Sequence, residues 1–494
     1  MGTNIIRPLG HLETYHCTRQ YMSLYPFAAQ TCQYTSPSSM SAETCQQVIK
    51  AALVQVVLAH PALQVGIGAA DTNEPCFLRL PSLDISNHLE WRDLSQTPPA
   101  SYDDAVVKVI EAEHTKDWQD VATRPAWKLT VVQSPIPKDG SGFTFDFLFA
   151  AHHSVADGKS LSFFHTSLLA ALDEASRNPV EVEDFVALPT TSALTPSQED
   201  IMEFKISKSF LIKTLWGEFA PSWLQGKSSA LPWTGAPISL RPQPQHTRLI
   251  TFPEEVVSRI LEACRSHKTT ITPLLQALIA TSMSQRLPEE TMTRGVAAVT
   301  VIGLRPYADK SKIPHGIDLD RSMGDITTAY THKISPSTVS ELRDGSQDPD
   351  DSAIWALTTK LGSELKKRLA KLPEDDILGL LAWVSDWFKR AKEMQGKPRD
   401  ATWEVSNLGS MPCRATRTGA GNDGWKLRRS IFTQSGNAIG PAFAVNVSSI
   451  AQGPLTLALT WQEGIVEGAL MDGLAKDLDL WCKQLQKSGK FTAF

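Results

Sequence analysis

The stretch that decides the reading is GFTFDFLFAAHHSVADGKS, residues 142–160. Phe143, Phe145, Phe147 and Phe149 recur at every second position, which places them on one face of a β-strand. Leu148, Ala150 and Ala151 keep the other face apolar near the strand's end, so the strand is expected to be central and covered on both sides. From Lys159 the pattern KSLSFFHTSLLAALDEA is helical. His152, His153, Asp157 and Gly158 therefore sit on a loop between a buried strand and a helix.

That loop is compatible with several chemistries. A phosphate loop needs a glycine five residues before Gly-Lys-Ser, and that position is His153, whose ring obstructs a tight turn. A metal could take His152 or His153 together with Asp157, but the neighbouring sequence offers no evident third ligand, and no metal is expected. A serine hydrolase lacks its GxSxG elbow. Two readings remain open from the residues alone. A histidine at a buried strand end can act as a general base, held in one tautomer and aimed into a cleft. Asp157 would then turn away to fix the loop, and Gly158 would let a substrate approach closely. Alternatively the segment is an Asp-Gly turn carrying a core histidine.

Outward from this loop, helical and strand patterns alternate, which predicts an α/β class. Residues 41–60 and 103–118 read as helices, and 25–35, 126–134 and short runs near 65 and 90 as strands. The composition shifts after about residue 190, and Pro232, Pro237, Pro242 and Pro244 exclude a regular element where they fall. The expected division is a first domain over 1–190, a crossover over 191–245 and a second domain over 246–494. In the second domain helices are predicted at 253–266, 271–286, 352–372, 375–393 and 466–486. Strands are predicted at 295–304, 323–332, 401–407, 441–450 and 454–462, with an acidic loop at 343–352.

Bulk properties narrow the classes. The chain has 494 residues, more than one compact core usually holds. Hydrophobic residues make up 42% and charged ones 20%, so the chain is globular, and the net charge of −5 leaves no footprint for nucleic acid. The seven cysteines are scattered without a CxxC pair, which argues against disulfide or zinc frameworks and for a reducing, cytoplasmic setting. No signal sequence or membrane span is evident. The sequon at Asn446 lies in an apolar run that reads as a buried strand.

HHSVADG (152–158) resembles the HHxxxDG motif of the CoA-dependent acyltransferase superfamily. That superfamily includes chloramphenicol acetyltransferase, dihydrolipoyl and plant-type acyltransferases, and peptide-synthetase condensation domains. RPLGHLETYHCTRQYMSLYPFAAQTCQYT (7–35) is similar to the N-terminal signature of the alcohol acetyltransferase family. VIGLRPYADKSKIPHGIDLDRSMGD (301–325) resembles the superfamily's Leu-Arg-Pro strand with the glycine after it, and EVSNLGSM (404–411) its Ser-Asn-Leu-Gly segment. The chain departs from the plant-type branch, which carries Asp-Phe-Gly-Trp-Gly where SNLGS stands here.

The resemblance implies two chloramphenicol-acetyltransferase-like domains, each a mixed β-sheet flanked by helices, with a channel between them. His153 would stand in the channel as the general base, with Ser406 first and Asn407 second as donors to the oxyanion. Asp157 would pair with Arg305 of the other domain, expected as a bidentate contact, with Gly324 as a structural neighbour. His152 and Gly158 fall to the substrate-binding surface, and Lys366, Lys367 and Arg368 are candidates for the CoA phosphates. Acetyl-CoA or another acyl-CoA is the implied co-substrate, with no bound cofactor. Thirteen tryptophans and many apolar strands suggest a hydrophobic alcohol as acceptor. A monomer in secondary metabolism is expected. The alternatives are N-acylation, condensation from a carrier-protein thioester, and a silent binding member of the superfamily.

Overall fold

The computed structural model describes residues 4–135, 142–190, 193–219, 232–343, 350–414 and 424–491. Most of the acidic loop of 343–352 lies outside the described residues. Two mixed sheets dominate. Their strands, in chain order, are β1 (Ala28–Thr35), β2 (Leu89–Asp93), β3 (Trp127–Gln133), β4 (Thr144–Ala151), β5 (Gln245–Phe252), β6 (Val296–Gly303), β7 (Thr327–Ile334), β8 (Trp403–Met411), β9 (Lys426–Gln434), β10 (Phe443–Ile450) and β11 (Leu455–Gln462). The first sheet runs β9-β1-β4-β3-β2 and the second β5-β11-β10-β8-β6-β7. In the first, only β2 and β3 are parallel. In the second, β6, β8 and β10 are mutually parallel and the outer pairs antiparallel.

The alternation that opens the sequence shapes the first half. Phe145, Phe147 and Phe149 of β4 enter one buried cluster with α2 (Ala42–Ala59) and α3 (Gly158–Arg177). Leu148 and Ala150 face the opposite side and pack in a second cluster with Val106 and Ile110. The strand is thus covered on both faces, as its side chains require. In the second half α4 (Ile271–Arg286) and α6 (Gly468–Ser488) pack on the larger sheet, with α5 (Asp351–Leu369) against α4. Among the described residues no helix is long and apolar enough to cross a membrane. All seven cysteines are free thiols, and Asn446 of the sequon is fully buried.

β9, from beyond residue 245, pairs along β1 and completes the first sheet. The structure corrects two expectations and adds a helix. Residues 323–326 are not strand, so Asp325 stands in the connection before β7. The predicted helix at 375–393 is instead a 3-10 segment (Ile377–Trp383) and a short helix (Trp387–Lys392). Asp376 and Asp386 each cap a separate start, and a Cβ at Gly379 would lie 2.8 Å from Ile206. Finally, 11–21 forms a helix that the pattern did not announce, α1 (His11–Tyr21) by its position in the chain.

Candidate active site

The loop after β4 separates its two histidines. His152 is fully buried, its Nδ1 accepting from the backbone N–H of Ser154 at 3.0 Å. Burial, with His153 and Arg19 nearby, pushes its pKa down to about 3, so this ring stays neutral. It is fully buried and outside the lining of the cavity that His153 enters, so its substrate-binding assignment finds no support there. His153 turns the other way, into a cavity of about 660 Å³ between the halves. Tyr25, Glu404, Gln434, Val299 and Trp387 share its lining.

Asp157 anchors the far end of the loop. Its Oδ1 accepts from the backbone N–H of Ser160 at 2.8 Å and so caps α3. Its Oδ2 accepts from Arg305 Nη1 at 2.5 Å and from the N–H of Ile326 at 3.1 Å. Arg305 spends its other donors on the carbonyls of Leu319 (2.9 Å) and Gly324 (3.3 Å) and on Ser160 Oγ (3.1 Å). The expected pair therefore exists but grips one carboxylate oxygen, because the helix cap occupies the other. Burial would raise the Asp157 carboxyl, but Arg305 and the Ser160 bonds outweigh it and hold the pKa below the ordinary value.

Both glycines answer to packing. A Cβ on Gly158 would lie 2.4 Å from Leu408 Cδ2 of β8, so the position is bare for another side chain, not for a substrate. The Gly324 carbonyl accepts from the N–H of Asp157 at 3.1 Å, and a Cβ there would lie 3.2 Å from Thr195. The pair Ser406 and Asn407 is divided by the period of β8. Glu404 of the cavity wall and Leu408 lie on one face, and Ser406 between them shares it. Asn407 is on the other face, donating to Thr272 Oγ1 at 3.1 Å and accepting from the Gly409 N–H at 2.9 Å. Neither lines the cavity. Arg368 is bound to Asp376 and to the carbonyl of Glu374, while Lys366 and Lys367 are exposed and also outside the cavity lining.

Four neighbours of His153 were not picked out from the sequence: His16 and Arg19 on α1, Tyr25 after it, and Asp325. The His16 ring stacks on His153 with centroids 3.9 Å apart and planes 5° from parallel. Asp325 Oδ1 lies 3.5 Å from His153 Nδ1, and Oδ2 lies 3.3 Å from His16 Nε2. Arg19 reaches His16 Nδ1 and sits over the rings of Tyr15 and Tyr25. Burial, then repulsion from His153 and Arg19, holds His16 well below its ordinary pKa. Burial raises the Asp325 carboxyl against the attraction of His153. Further along the wall Tyr25 donates to Gln434 Oε1 at 2.7 Å, and Gln434 Nε2 donates to Glu404 at 2.9 Å.

Ligand atoms of His16, His153 and Asp325 lie within 4.8 Å of one another, which supplies the third metal-ligand type missing from the local sequence. The stacking argues against an ion. Imidazole lone pairs lie in the ring plane, and two parallel planes cannot both aim at one centre. Arg19 also occupies one nitrogen of His16 and sets a positive charge beside the group. The arrangement suits proton handling: a cavity-facing imidazole beside a buried carboxylate.

A family model described as alcohol acetyltransferase matches residues 95–472. The chain belongs to the alcohol acetyltransferase family. It is an acyltransferase of that family, with the chloramphenicol-acetyltransferase-like fold. It is 29% identical to a probable alcohol acetyltransferase, FCK4, of Fusarium pseudograminearum, over 98% of this chain and 96% of that protein. A probable alcohol acetyltransferase of Aspergillus fumigatus, crmB, is 26% identical over 94% and 96%. Among solved structures, the TRI3 trichothecene 15-O-acetyltransferase of Fusarium sporotrichioides superposes with a TM-score of 0.68 at 14% identity, covering 95% of this chain and 94% of that one. The first condensation domain of the calcium-dependent antibiotic synthetase gives 0.60 at 12% identity, covering 99% and 98%. These likenesses, over nearly whole chains, extend to the two-sheet architecture.

Proposed function

We propose that this family member transfers an acyl group, acetyl in the first instance, from acyl-CoA to a hydroxyl of a hydrophobic small molecule, with His153 as general base. The observation that carries the reading is the projection of His153, from the turn that joins β4 to α3, into the 660 Å³ cavity between the halves. His153 Nε2 takes the acceptor's hydroxyl proton as that oxygen bonds to the thioester carbonyl carbon. The carbonyl electrons move to oxygen, then return as the C–S bond breaks, and His153 gives its proton to the departing thiolate. No covalent enzyme intermediate is required. A base of this kind contributes about 10²–10⁴-fold, and holding donor and acceptor together in the cavity supplies a further large factor. Ser406 faces the first half from β8 but stands outside the cavity lining, and Asn407 is committed to Thr272 and Gly409, so neither is assigned as the oxyanion donor. The acetyltransferases among the relatives, including the trichothecene 15-O-acetyltransferase, support an oxygen acceptor.

The test is acyl transfer from acetyl-CoA to a panel of alcohols and amines, followed by thiol release. His153→Ala is expected to lower kcat by about 10²-fold or more with the fold retained. A folded variant within tenfold of wild type overturns the base assignment, and turnover of amines in place of alcohols overturns the acceptor class.

A further inference from the structure

Arg19, His16, Asp325 and His153 come from three separated segments and form one chain of contacts ending on the base. The guanidinium of Arg19 carries only donors, so His16 Nδ1, which it contacts, accepts. A His16 ring that accepts at Nδ1 is neutral and carries its proton on Nε2. That nitrogen faces Asp325 Oδ2 at 3.3 Å. The other carboxylate oxygen faces His153 Nδ1 at 3.5 Å. A carboxylate there favours the His153 tautomer protonated on Nδ1, which leaves Nε2 bare for the acceptor's proton.

We propose that Asp325, held by His16 and Arg19, is the positioning residue for His153: it fixes the tautomer and closes onto Nδ1–H as the ring becomes charged. This inference rests on the reading of His153 as the base. Both separations exceed the usual length of an N–H···O bond, about 2.9 Å. Asp325 Oδ2 and His153 Nδ1 are buried with no hydrogen bond completed. Oδ1, the oxygen facing His153, accepts from Thr327 Oγ1 at 3.3 Å and keeps a second lone pair for Nδ1–H, and catalytic hydrogen bonds of this sort tighten in the reacting complex. The proton on Nδ1 stays on His153 throughout, and the mobile proton passes only through Nε2. His16 has to remain neutral, since a second imidazolium stacked 3.9 Å away would oppose charging of His153. Arg19 enforces that neutrality by occupying the only basic nitrogen of the ring. The remaining titratable groups around His153 are its neighbour His152, Tyr25, whose ring centroid lies 5.7 Å away, and Glu404 of the same cavity lining.

Asp325→Asn offers His153 Nδ1 an N–H in place of an acceptor and so favours the wrong tautomer. Its kcat is expected to fall by about 10²-fold or more, with KM for acyl-CoA and acceptor within about threefold. The acid limb of kcat/KM should move to lower pH, because the imidazolium loses its counter-charge. His16→Phe keeps the stacked ring but loses both nitrogens, and should lower kcat about tenfold with KM unchanged. In Asp325→Ala, added formate should restore part of the rate, which a purely structural defect does not allow. A folded Asp325→Asn with kcat within threefold of wild type and an unmoved acid limb overturns the proposal. So does a soluble Asp325→Ala that ignores formate. His153→Ala separates the two readings: if it stays active the base assignment fails, and if it is dead while Asp325→Asn is normal only the positioning role fails.

Discussion

Asp157 divides two tasks between two oxygens, capping α3 with one and receiving Arg305 with the other. Substitution by Asn can keep the capping oxygen, since Asn is as good a cap as Asp, but it removes the charge and turns an N–H toward Arg305 and the Ile326 N–H, which lose their acceptor. Arg305 is then left buried without its counter-ion, a defect worth about 3–5 kcal/mol. Arg305→Met should cost a similar amount by stranding the carboxylate. The double variant removes both charges and should be much more stable than the sum of the single losses implies, by about 1–3 kcal/mol. Urea unfolding of the four proteins measures this coupling, and additivity within about 0.5 kcal/mol would show that the pair carries no energy of its own. Activity should fall in both single variants, because the Asp157 carboxylate and the Gly324 carbonyl fix the angle of the turn bearing His153.

At the scale of elements, β9 ties the halves together. It pairs from Lys426 to Gln434 along the whole of β1 and would be missing from a fragment ending at residue 245. Such a fragment leaves β1 as a bare edge beside the phenylalanine strand, and unpaired edges template aggregation. It is expected to be insoluble or aggregated on expression, and a monomeric, cooperatively unfolding fragment would contradict this. The same strand shows why some of the fold was illegible. β4, α2 and α3 could be read because their apolar periods are intact. KLRRSIFTQ hides its period behind Arg429, which is buried against Asp103 at 2.6 Å and Asp146 at 3.5 Å, both from elsewhere in the chain. α1 hides in the same way: Glu13, His16, Arg19 and Gln20 are polar and buried, Glu13 against Arg7 and Arg19 against His16, while His16 meets Asp325 and Gln20 the Trp118 carbonyl from far along the chain. The His153 loop was legible because its residues are contiguous. Its neighbours were not, because Asp325 and His16 meet it only through tertiary structure.

Across the whole molecule, buried neutral histidines set the acid limit. His60, His88, His114, His152 and His165 are all buried, and burial lowers their pKa values to about 4, 4, 3, 3 and 4. Their unfolded value is about 6.5, so below that pH the unfolded chain binds protons that the folded chain refuses, and stability falls. The loss continues until the folded values, about 4 for three rings and about 3 for His114 and His152, are reached. At pH 5.5 each ring costs on the order of 1 kcal/mol and the five together several kcal/mol. That is comparable with the whole stability of a typical domain, about 5–15 kcal/mol. Asp325 and Glu404, raised by burial, act in the opposite sense and blunt the loss only where they titrate. Asp157, held low, contributes stability present above its unfolded value near 3.9 and lost only as pH falls through its lower folded value, so it acts in a separate window. The urea midpoint should therefore fall steeply from pH 7.5 to pH 5.5, before any carboxylate with a depressed pKa is protonated. His114→Gln should flatten that slope by about one proton per molecule. A midpoint that is the same at both pH values would refute the assignment of these rings as neutral.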